Sequence, residues 1–342
     1  MAAIASKRSR TQPTWMVSAA AVLLAVAIVG GLLAANAARR GSQNSAIDPN
    51  QSGLEAIPGM HCTLPVTTDQ GPGLITFPSG TFRPARLPAA TATAYDPTTH
   101  RWLATQPQGI SPDGKLVALL DIKKGGNQTL RLETSSGKLL YSHDLVMRIL
   151  GWSSDGSLLV TAVDPDTKTP RLLRISSGGH AGWFDPLSNA TTMWSFAAGQ
   201  YVWGVALPYP GPAQARMIVR LDLATATIAN WYAMSTGSFN DSGFGPILGL
   251  TVDGYPIVPD LNTDSQAGVV AITAPQVPAP IHIGNWPLSA SSFWPAHAIS
   301  DAHGMWLTTT DGQLYWSSGG SDFRLVKVFG SVAVDSFAGV CG

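Results

Sequence analysis

The sequence is short of charged residues and contains almost no glutamate. Asp, Glu, Lys and Arg make up 12% of the 342 residues, where roughly 25% is usual for a soluble chain. Glutamate occurs only as Glu55 and Glu133. Because helix surfaces are usually built from Glu, Lys and Gln, this supply argues against a helical bundle or a coiled coil. The 21 basic residues balance the 21 acidic residues and form no basic run beyond the amino terminus, which argues against a nucleic-acid partner.

The residues that are abundant point to a chain of short strands. The sequence has 35 Gly and 25 Pro, yet 45% of its residues are hydrophobic. A chain this apolar can bury a core, which excludes a disordered protein. Gly and Pro divide the apolar residues into short runs separated by turns. We therefore predict an all-β, turn-rich fold.

The amino-terminal segment predicts export across a membrane. No ionisable residue occurs between Arg10 and Arg39. About 20 apolar residues span a bilayer core, whereas the apolar part of a cleaved signal is usually ~7–15 residues long. We expect a cytoplasmic tail over 1–13 and a single-pass transmembrane anchor over 14–38, with the rest of the chain extracytoplasmic. The alternative is signal cleavage at 35–37, an Ala-Asn-Ala sequence, which would release a secreted protein.

Two cysteines lie near the two ends of the region predicted to fold. Residues 39–59 are small, polar and without periodicity, which predicts a flexible linker, so the folded domain is expected over 60–342. Cys62 and Cys341 are the two cysteines of the chain. In an oxidising compartment they are expected to form a disulfide that closes nearly the whole domain. The alternative is two unpaired buried thiols.

The folded region contains repeated strand–turn–strand segments. The six segments are 91–104, 129–143, 171–184, 217–232, 268–283 and 312–328. Equivalent positions recur at steps of about 37 to 50 residues, and ~40–50 residues is the length of a four-stranded propeller blade. This spacing predicts a six-bladed β-propeller. A seventh blade would arise if 60–86 pairs with 331–337. With six blades or seven, the ring is expected to close with strands from both chain ends, because an open ring exposes two sheet edges.

Asp-Gly turns recur between these segments. The pairs are Asp113-Gly114, Asp155-Gly156 and Asp253-Gly254. An aspartate accepts hydrogen bonds within a tight turn, and glycine adopts the positive φ that the turn requires. The sequences Ser-Pro-Asp-Gly-Lys at 111–115 and Trp-Ser-Ser-Asp-Gly at 152–156 resemble the WD-like β-propeller repeats of TolB-type proteins. The resemblance covers about 105–175 and is degenerate elsewhere; it implies a propeller and an exported protein, and little about activity.

Sequence motifs for chemistry are absent. The chain lacks the G-x-S-x-G, H-E-x-x-H, P-loop and C-x-x-C patterns, so no catalytic residue, cofactor or metal is predicted. Residues 260–264 place Asp, Asn and Asp at alternate positions as a calcium loop does, but Ser265 stands where glycine is needed, which favours an ordinary turn. Asp164 and Asp166 have the same two interpretations. The histidines of one region lack ligand spacing and are expected to be ordinary loop residues rather than a zinc site. They are His282, His297 and His303.

Tryptophans are the remaining candidates for ligand contact. Those within the repeated segments are expected to pack between blades, because large rings fill the layers between sheets. They are Trp102, Trp183, Trp231 and Trp316. Trp286 and Trp294 lie in a proline-rich stretch predicted to form a loop, where exposed rings could stack on a sugar or clamp a peptide. The alternative is packing within the loop itself.

These features favour binding over catalysis. We expect a membrane-anchored, extracytoplasmic platform that binds a protein or glycan partner and carries out no chemistry of its own. The alternative is an exported carbohydrate-active hydrolase or lyase, with an active site that different blades assemble at the channel mouth. Two or more carboxylates converging there with a histidine would favour the enzyme, whereas aromatic and amide side chains would favour binding.

Overall fold

The computed structural model describes most of the chain beyond the predicted linker. The described residues are 56–85, 93–122, 128–184, 191–207, 217–233, 247–261, 267–275, 281–286, 295–318, 323–330 and 332–342. They form 25 β-strands and one turn of 3-10 helix, Pro107–Gly109. In these ranges no helix has the length and hydropathy needed to cross a bilayer. The predicted tail and anchor, 1–38, lie outside the described residues.

The strands are short, as the alternation of apolar runs and turns predicts. In chain order they are β1 Thr63–Thr68, β2 Gly71–Thr76, β3 Thr81–Pro84, β4 Ala94–Asp96, β5 Arg101–Leu103, β6 Leu116–Ile122, β7 Gln128–Thr134, β8 Leu139–Asp144, β9 Val146–Trp152, β10 Leu158–Val163, β11 Pro170–Ile175, β12 Ala181–Phe184, β13 Thr191–Ala198, β14 Tyr201–Leu207, β15 Met217–Asp222, β16 Thr227–Ala233, β17 Gly249–Leu250, β18 Pro256–Leu261, β19 Ala267–Ala271, β20 Ile281–Trp286, β21 Pro295–Asp301, β22 Gly304–Thr309, β23 Leu314–Ser317, β24 Arg324–Leu325 and β25 Val334–Phe337.

The described strands build a six-bladed β-propeller. From the channel outward, the blades are blade 1 (β25, β1, β2, β3), blade 2 (β6, β7, β8), blade 3 (β9 to β12), blade 4 (β13 to β16), blade 5 (β17 to β20) and blade 6 (β21 to β24). All strand pairs within the blades are antiparallel. In blade 2 an isolated bridge between Ile110 and Val117 takes the place of an innermost strand.

The repeat analysis identified five of the six blades correctly. The last five predicted segments contain the outer hairpins of blades 2 to 6, such as β7–β8 at 129–143. The first segment, 91–104, is not part of a blade: β4 and β5 form a separate two-stranded sheet. Its place is taken by the divided blade 1, which combines β1–β3 with β25. The predicted pairing of the two chain ends therefore completes a sixth blade and does not add a seventh.

Residues from both ends of the chain close the ring. Val66 and Thr67 of β1 pair with Phe337 and Ser336 of β25. The predicted disulfide between Cys62 and Cys341 is confirmed, with the two Cα atoms 5.5 Å apart. Both half-cystines are buried in the apolar core between blades 6 and 1. Strand pairing and a covalent bond thus fasten the same joint.

Apolar side chains fill the spaces between neighbouring blades. Because successive residues of a strand point to opposite faces, one strand contributes to two interfaces. In β14, Val202 packs in the cluster between blades 3 and 4, while Trp203 and Val205 pack in the cluster between blades 4 and 5. Ile57, just ahead of the predicted domain start, is also buried, in the core shared by blades 6 and 1. Burial on both faces explains why these strands are continuously apolar.

Candidate functional site

The innermost segments of all six blades line a cavity on the axis of the ring. Its volume is about 540 Å³. The polar or ionisable lining residues are Thr93, Gln106, Gln108, Arg148, Ser195, His297 and Ser336. They come from positions far apart in the chain, because each blade contributes only its innermost strand or turn, and Thr93 comes from just before the separate β4–β5 sheet. We call this cavity the axial channel.

Small residues allow the innermost strands to approach one another. Gly249 of β17 lies against β21, and a Cβ atom at this position would overlap the carbonyl oxygen of Ala298. The backbone N–H of Ala298 donates to the carbonyl oxygen of Leu248 at 3.0 Å. Glycine at 249 is therefore required by space, and the close contact holds blades 5 and 6 in position around the channel.

Arg148 and His297 are the ionisable groups in the described lining of the axial channel. Arg148 lies on β9 and His297 on β21, and both side chains open into the channel. Enclosure by protein lowers the pKa of Arg148 below its ordinary value, although a guanidinium stays charged at neutral pH. Enclosure, assisted by the charge of Arg148, lowers the pKa of His297 to about 4. The imidazole is therefore neutral at pH 7, and Arg148 is the cation.

The guanidinium of Arg148 makes no ion pair or hydrogen bond with the described residues. No Asp or Glu occurs among the described residues that line the axial channel. A guanidinium presents several N–H donors in one plane and matches a carboxylate in a two-bond arrangement. The amides of Gln106 and Gln108 add donors and acceptors at the same cavity. This set of groups can bind an anion, whereas the acid–base pair of a glycosidase needs two carboxylates.

Two of the predicted Asp-Gly turns have the hydrogen bonds that the sequence implies. Asp113 accepts from the backbone N–H of Lys115 at 3.1 Å and from the Ser111 hydroxyl at 2.8 Å. These two bonds lower the pKa of Asp113 to about 2. Gly114 has φ of +67°, which a side chain rarely tolerates. This turn connects the innermost segment of blade 2 to β6.

The second turn is held by more partners. Asp155 accepts from the Ser153 hydroxyl, from the backbone N–H of Ser157 at 3.1 Å and from Arg174. The Ser153 hydroxyl is the largest cause of the lowered pKa of Asp155. Gly156 has a positive φ. The turn connects β9 to β10, at the equivalent place in blade 3.

The third turn differs, and a fourth was missed. At 251–255 the hydroxyl of Thr251 accepts the backbone N–H of Tyr255 at 3.1 Å, while the carboxylate of Asp253 makes no hydrogen bond with the described residues. At 309–313 the hydroxyl of Thr309 donates to Asp311 and accepts from the backbone N–H of Gln313. A hydroxyl residue two positions before the aspartate is common to all four turns. The sequence pattern Ser/Thr-x-Asp-Gly therefore predicts all four turns, whereas Ser-Pro-Asp-Gly predicts only the first.

The hairpin tryptophans pack as predicted in three cases. Trp231 is buried between blades 4 and 5, Trp316 packs against the core between blades 6 and 1, and Trp183 contacts His143 of blade 2 edge-on at 5.6 Å. The prediction is wrong for Trp102, which packs on Tyr95 at 5.3 Å inside the separate β4–β5 hairpin. A hairpin outside the blades has no inter-blade layer to fill.

The side chains of the two predicted ligand-binding tryptophans lie outside what the structure describes. Trp294 lies outside the described residues, and Trp286 ends β20, with its side chain outside what the structure describes. The expected loop is therefore replaced by a strand as far as Trp286. The predicted turn residues Asn262 and Asp264 also lie outside the described residues.

The expectation that His297 is a loop residue is wrong, because β21 begins at Pro295 and carries His297 into the axial channel. His303 lies in the following turn. At the other predicted turn, the backbone N–H of Asp166 donates to the Asp164 carboxylate at 2.8 Å, and Asp164 also pairs with Arg171. Among the described residues, no group of three or more His, Cys, Asp or Glu side chains is arranged to hold a metal ion.

Fold and channel together define a six-bladed β-propeller whose channel holds a cation among polar and apolar side chains. No protein-family model matches the chain, and no curated protein matches it. Solved structures do resemble it. The Dos1 propeller is 12% identical with a TM-score of 0.39, and the match covers 78% of this chain and 68% of that one. A protein from Agrobacterium tumefaciens assigned as a TolB is 14% identical with a TM-score of 0.31, covering 77% of this chain and 79% of the other.

An enzyme is also among the similar structures. Prolyl oligopeptidase B from Galerina marginata is 11% identical with a TM-score of 0.37, and the match covers 78% of this chain. It covers 43% of the oligopeptidase, so this chain spans under half of that protein's length. At such identities the likeness concerns the fold alone.

Proposed function

We propose that this protein is a non-catalytic binding platform whose axial channel receives a carboxylate group of a protein or glycan partner. The observation that carries the proposal is Arg148, a cation without a described partner in a channel whose other polar lining groups are amides, hydroxyls and a neutral imidazole. Its side chain is exposed to the open channel, so a ligand that enters the channel can reach the guanidinium. An entering carboxylate supplies that partner.

The neighbouring groups give the channel further means of recognition. Gln106 and Gln108 offer both donors and acceptors, and neutral His297 offers one of each. The volume of about 540 Å³ suits an acidic side chain or one sugar unit rather than a folded segment. The partner is therefore expected to insert a small acidic group while the rest of it lies on the propeller face.

The competing function, a carbohydrate-active hydrolase or lyase, has less support. Glycoside hydrolysis generally uses two carboxylates on opposite sides of the scissile bond. The described lining residues of the axial channel supply none. A cation with amides supports binding of an acid better than it supports acid–base chemistry.

We also propose that residues 14–38 anchor the propeller on the extracytoplasmic side of a membrane, and that its turns belong to the TolB-type class of WD-like repeats. The uncharged amino-terminal run and the Cys62–Cys341 disulfide support the location, because disulfides persist in oxidising compartments. Membranes washed at alkaline pH should retain the full chain. Release into the wash, or a fully reduced thiol pair in freshly isolated membranes, would contradict the location.

The binding proposal is tested by titrating the full chain, in detergent, with acidic oligomers and their neutral counterparts. The ligands are oligoglutamate against oligoglutamine, and oligogalacturonate against neutral galacto-oligosaccharide. One acidic ligand should bind, and Arg148→Gln should weaken it at least about tenfold, since a hydrogen bond to a charged group contributes roughly 1.5–3 kcal/mol. Arg324→Gln is the matched control, because Arg324 is exposed on the outermost strand of blade 6.

The two acidic ligands distinguish a protein partner from a glycan partner. Equal binding of acidic and neutral ligands would refute the proposal. So would an Arg148→Gln variant that binds as tightly as the natural chain.

A further inference from the structure

A second cavity lies between blades 4 and 5, away from the axial channel. Its volume is about 360 Å³. The two blades meet here through equivalent turns, Ala198–Tyr201 and Val252–Tyr255, and the side chains of Arg220, Trp203 and Trp231 form its wall. We call it the Arg220 pocket. None of its lining residues also lines the axial channel.

The sheet register places Arg220 among aromatic rings. Arg220 of β15 pairs with Trp203 of β14 and with Ala229 of β16. Paired residues of antiparallel strands share a face, and so do residues two positions further along. Tyr201 and Trp231 therefore flank Arg220 on the face of blade 4 that meets blade 5.

The guanidinium of Arg220 is stacked between two rings. Its Cζ atom lies 4.0 Å from the ring centroid of Tyr201 and 3.9 Å from that of Trp231. Stacking satisfies the two faces of a guanidinium and leaves its N–H donors, which lie in the plane, for other partners.

Hydrogen bonds to blade 5 hold the aromatic wall in place. The indole N–H of Trp203 donates to the carbonyl oxygen of Gly254 at 2.8 Å, and that of Trp231 donates to the carbonyl oxygen of Ile272 at 3.2 Å. Both indoles are buried. The Trp231 side of the slot is therefore fixed before any ligand arrives, which reduces the entropic cost of binding.

The donors of Arg220 lack partners in the described structure. Its Nε atom is shielded from solvent and makes no hydrogen bond, and Arg220 forms no ion pair with the described residues. The adjacent carboxylate of Asp222 is committed to its own turn, where it accepts the backbone N–H of Ala224 at 2.8 Å. A comparable arginine on blade 3 does have a carboxylate: Arg171 lies over Trp183 and pairs with Asp164.

We propose that the Arg220 pocket binds a carboxylate group, at a site separate from the axial channel. The stacked guanidinium presents its planar donors to both carboxylate oxygens. The hydroxyl of Tyr201, which accepts from the Gln200 amide at 2.6 Å, retains a proton to donate. The ligand carries its carboxylate on a short apolar stem, because Val252 and Tyr255 also line the pocket.

The carboxylate of Asp253 limits the charge that the pocket accepts. Asp253 lines the pocket and makes no hydrogen bond with the described residues. It repels a dianion such as phosphate more strongly than a monocarboxylate. Carboxylate is therefore preferred to phosphate.

The experiment titrates the full chain with small acids and follows its tryptophan fluorescence, to which Trp231 beside Arg220 contributes. The probes are butyrate with butyramide as its neutral analogue, the capped tripeptide Gly-Glu-Gly with its Gly-Gln-Gly analogue, and inorganic phosphate. Butyrate or the Glu peptide should cause a saturable change, and the amides should not. Binding of butyrate alone identifies a free small acid as the source, and binding of the peptide alone identifies a protein side chain.

Variants separate this site from the channel. Arg220→Met should weaken binding at least about tenfold, since a hydrogen bond to a charged group contributes roughly 1.5–3 kcal/mol, and Arg220→Lys should weaken it less. Arg148→Gln and Arg324→Met should leave carboxylate binding at the Arg220 pocket unchanged. A failure of this proposal is therefore distinguishable from a failure of the channel proposal. Asp253→Asn should tighten carboxylate binding by removing a like charge.

A structural role alone predicts different results. If Arg220 only packs, Arg220→Met melts at a lower temperature and butyrate titrations of the two proteins coincide. A binding role predicts that Arg220→Met loses most of the saturable response to butyrate, and that Arg220→Lys, which keeps the charge, loses less of it. Absence of saturable binding by every carboxylate probe, equal binding of the amides, or tighter binding of phosphate would overturn the proposal.

Discussion

Reduction of the Cys62–Cys341 disulfide is expected to remove a large part of the folding free energy. The two cysteines are 279 positions apart. Breaking the bond restores the freedom of a loop of nearly that length to the unfolded chain, which the chain-entropy relation sets at about 5 to 6 kcal/mol at 25 °C. A folded domain is stable by only about 5–15 kcal/mol in total. Reduction should therefore remove a third or more of the stability.

The folded state should change little on reduction. Both sulfurs lie in the core between blades 6 and 1, and the thiols fill nearly the same space. The joint is also held by the pairing of β1 with β25, by the backbone N–H of Thr63 donating to Gly342 at 2.8 Å, and by that of Cys341 donating to Asp301 at 3.0 Å. The loss of free energy should therefore arise in the unfolded chain.

Urea titration with tryptophan fluorescence measures the effect on the full chain. Oxidised and reduced protein are compared, and the double variant Cys62→Ala/Cys341→Ala, titrated with and without reductant, controls for the reductant itself. The reduced protein should unfold at a clearly lower urea concentration, and the double variant should not respond. A difference below ~1 kcal/mol between the oxidised and reduced protein would refute the loop-entropy reasoning.

Three further predictions concern the turns and the axial channel. The folded-state pKa of Asp113 is depressed to about 2 from 3.8. Its contribution to stability is therefore present above pH ~4 and is lost as the pH falls towards 2. In acid-unfolding curves, the difference in unfolding free energy between the natural chain and Asp113→Asn should shrink over that pH range. Gly249→Ala should cost about 2 kcal/mol or more in urea unfolding, because the new Cβ overlaps the carbonyl oxygen of Ala298; an unchanged midpoint would contradict the close approach of the strands. The pKa of His297, about 4, should rise in Arg148→Met when the imidazole is titrated by NMR, and an unchanged value would mean that the two groups do not interact.

Local features of the sequence predicted the strands and turns well. The hairpins β7–β8, β11–β12 and β15–β16 follow from apolar runs interrupted by turn residues, and these signals act over a few positions. The error at 91–104 has a physical reason. A two-stranded hairpin has the same local pattern inside or outside a blade, and only its neighbours in space distinguish the two cases.

The binding sites could not be predicted in the same way. Arg148, His297 and Gln108 belong to three different blades, and nothing in their local sequence marks them as neighbours. Arg220 lies within a predicted hairpin, but its stacking between Tyr201 and Trp231 depends on the register of three strands. A shift of one residue in that register would turn Arg220 towards blade 3.

By itself, the sequence determined that the chain forms short antiparallel strands repeating at the length of a propeller blade, because strand and turn preferences are local. It also indicated the covalent joint between Cys62 and Cys341, since the chain holds only these two cysteines. The tertiary structure decided which hairpins became blades and which side chains faced a cavity. Ring closure brings residues from distant parts of the chain to one axis, and their charges interact only once the ring is complete.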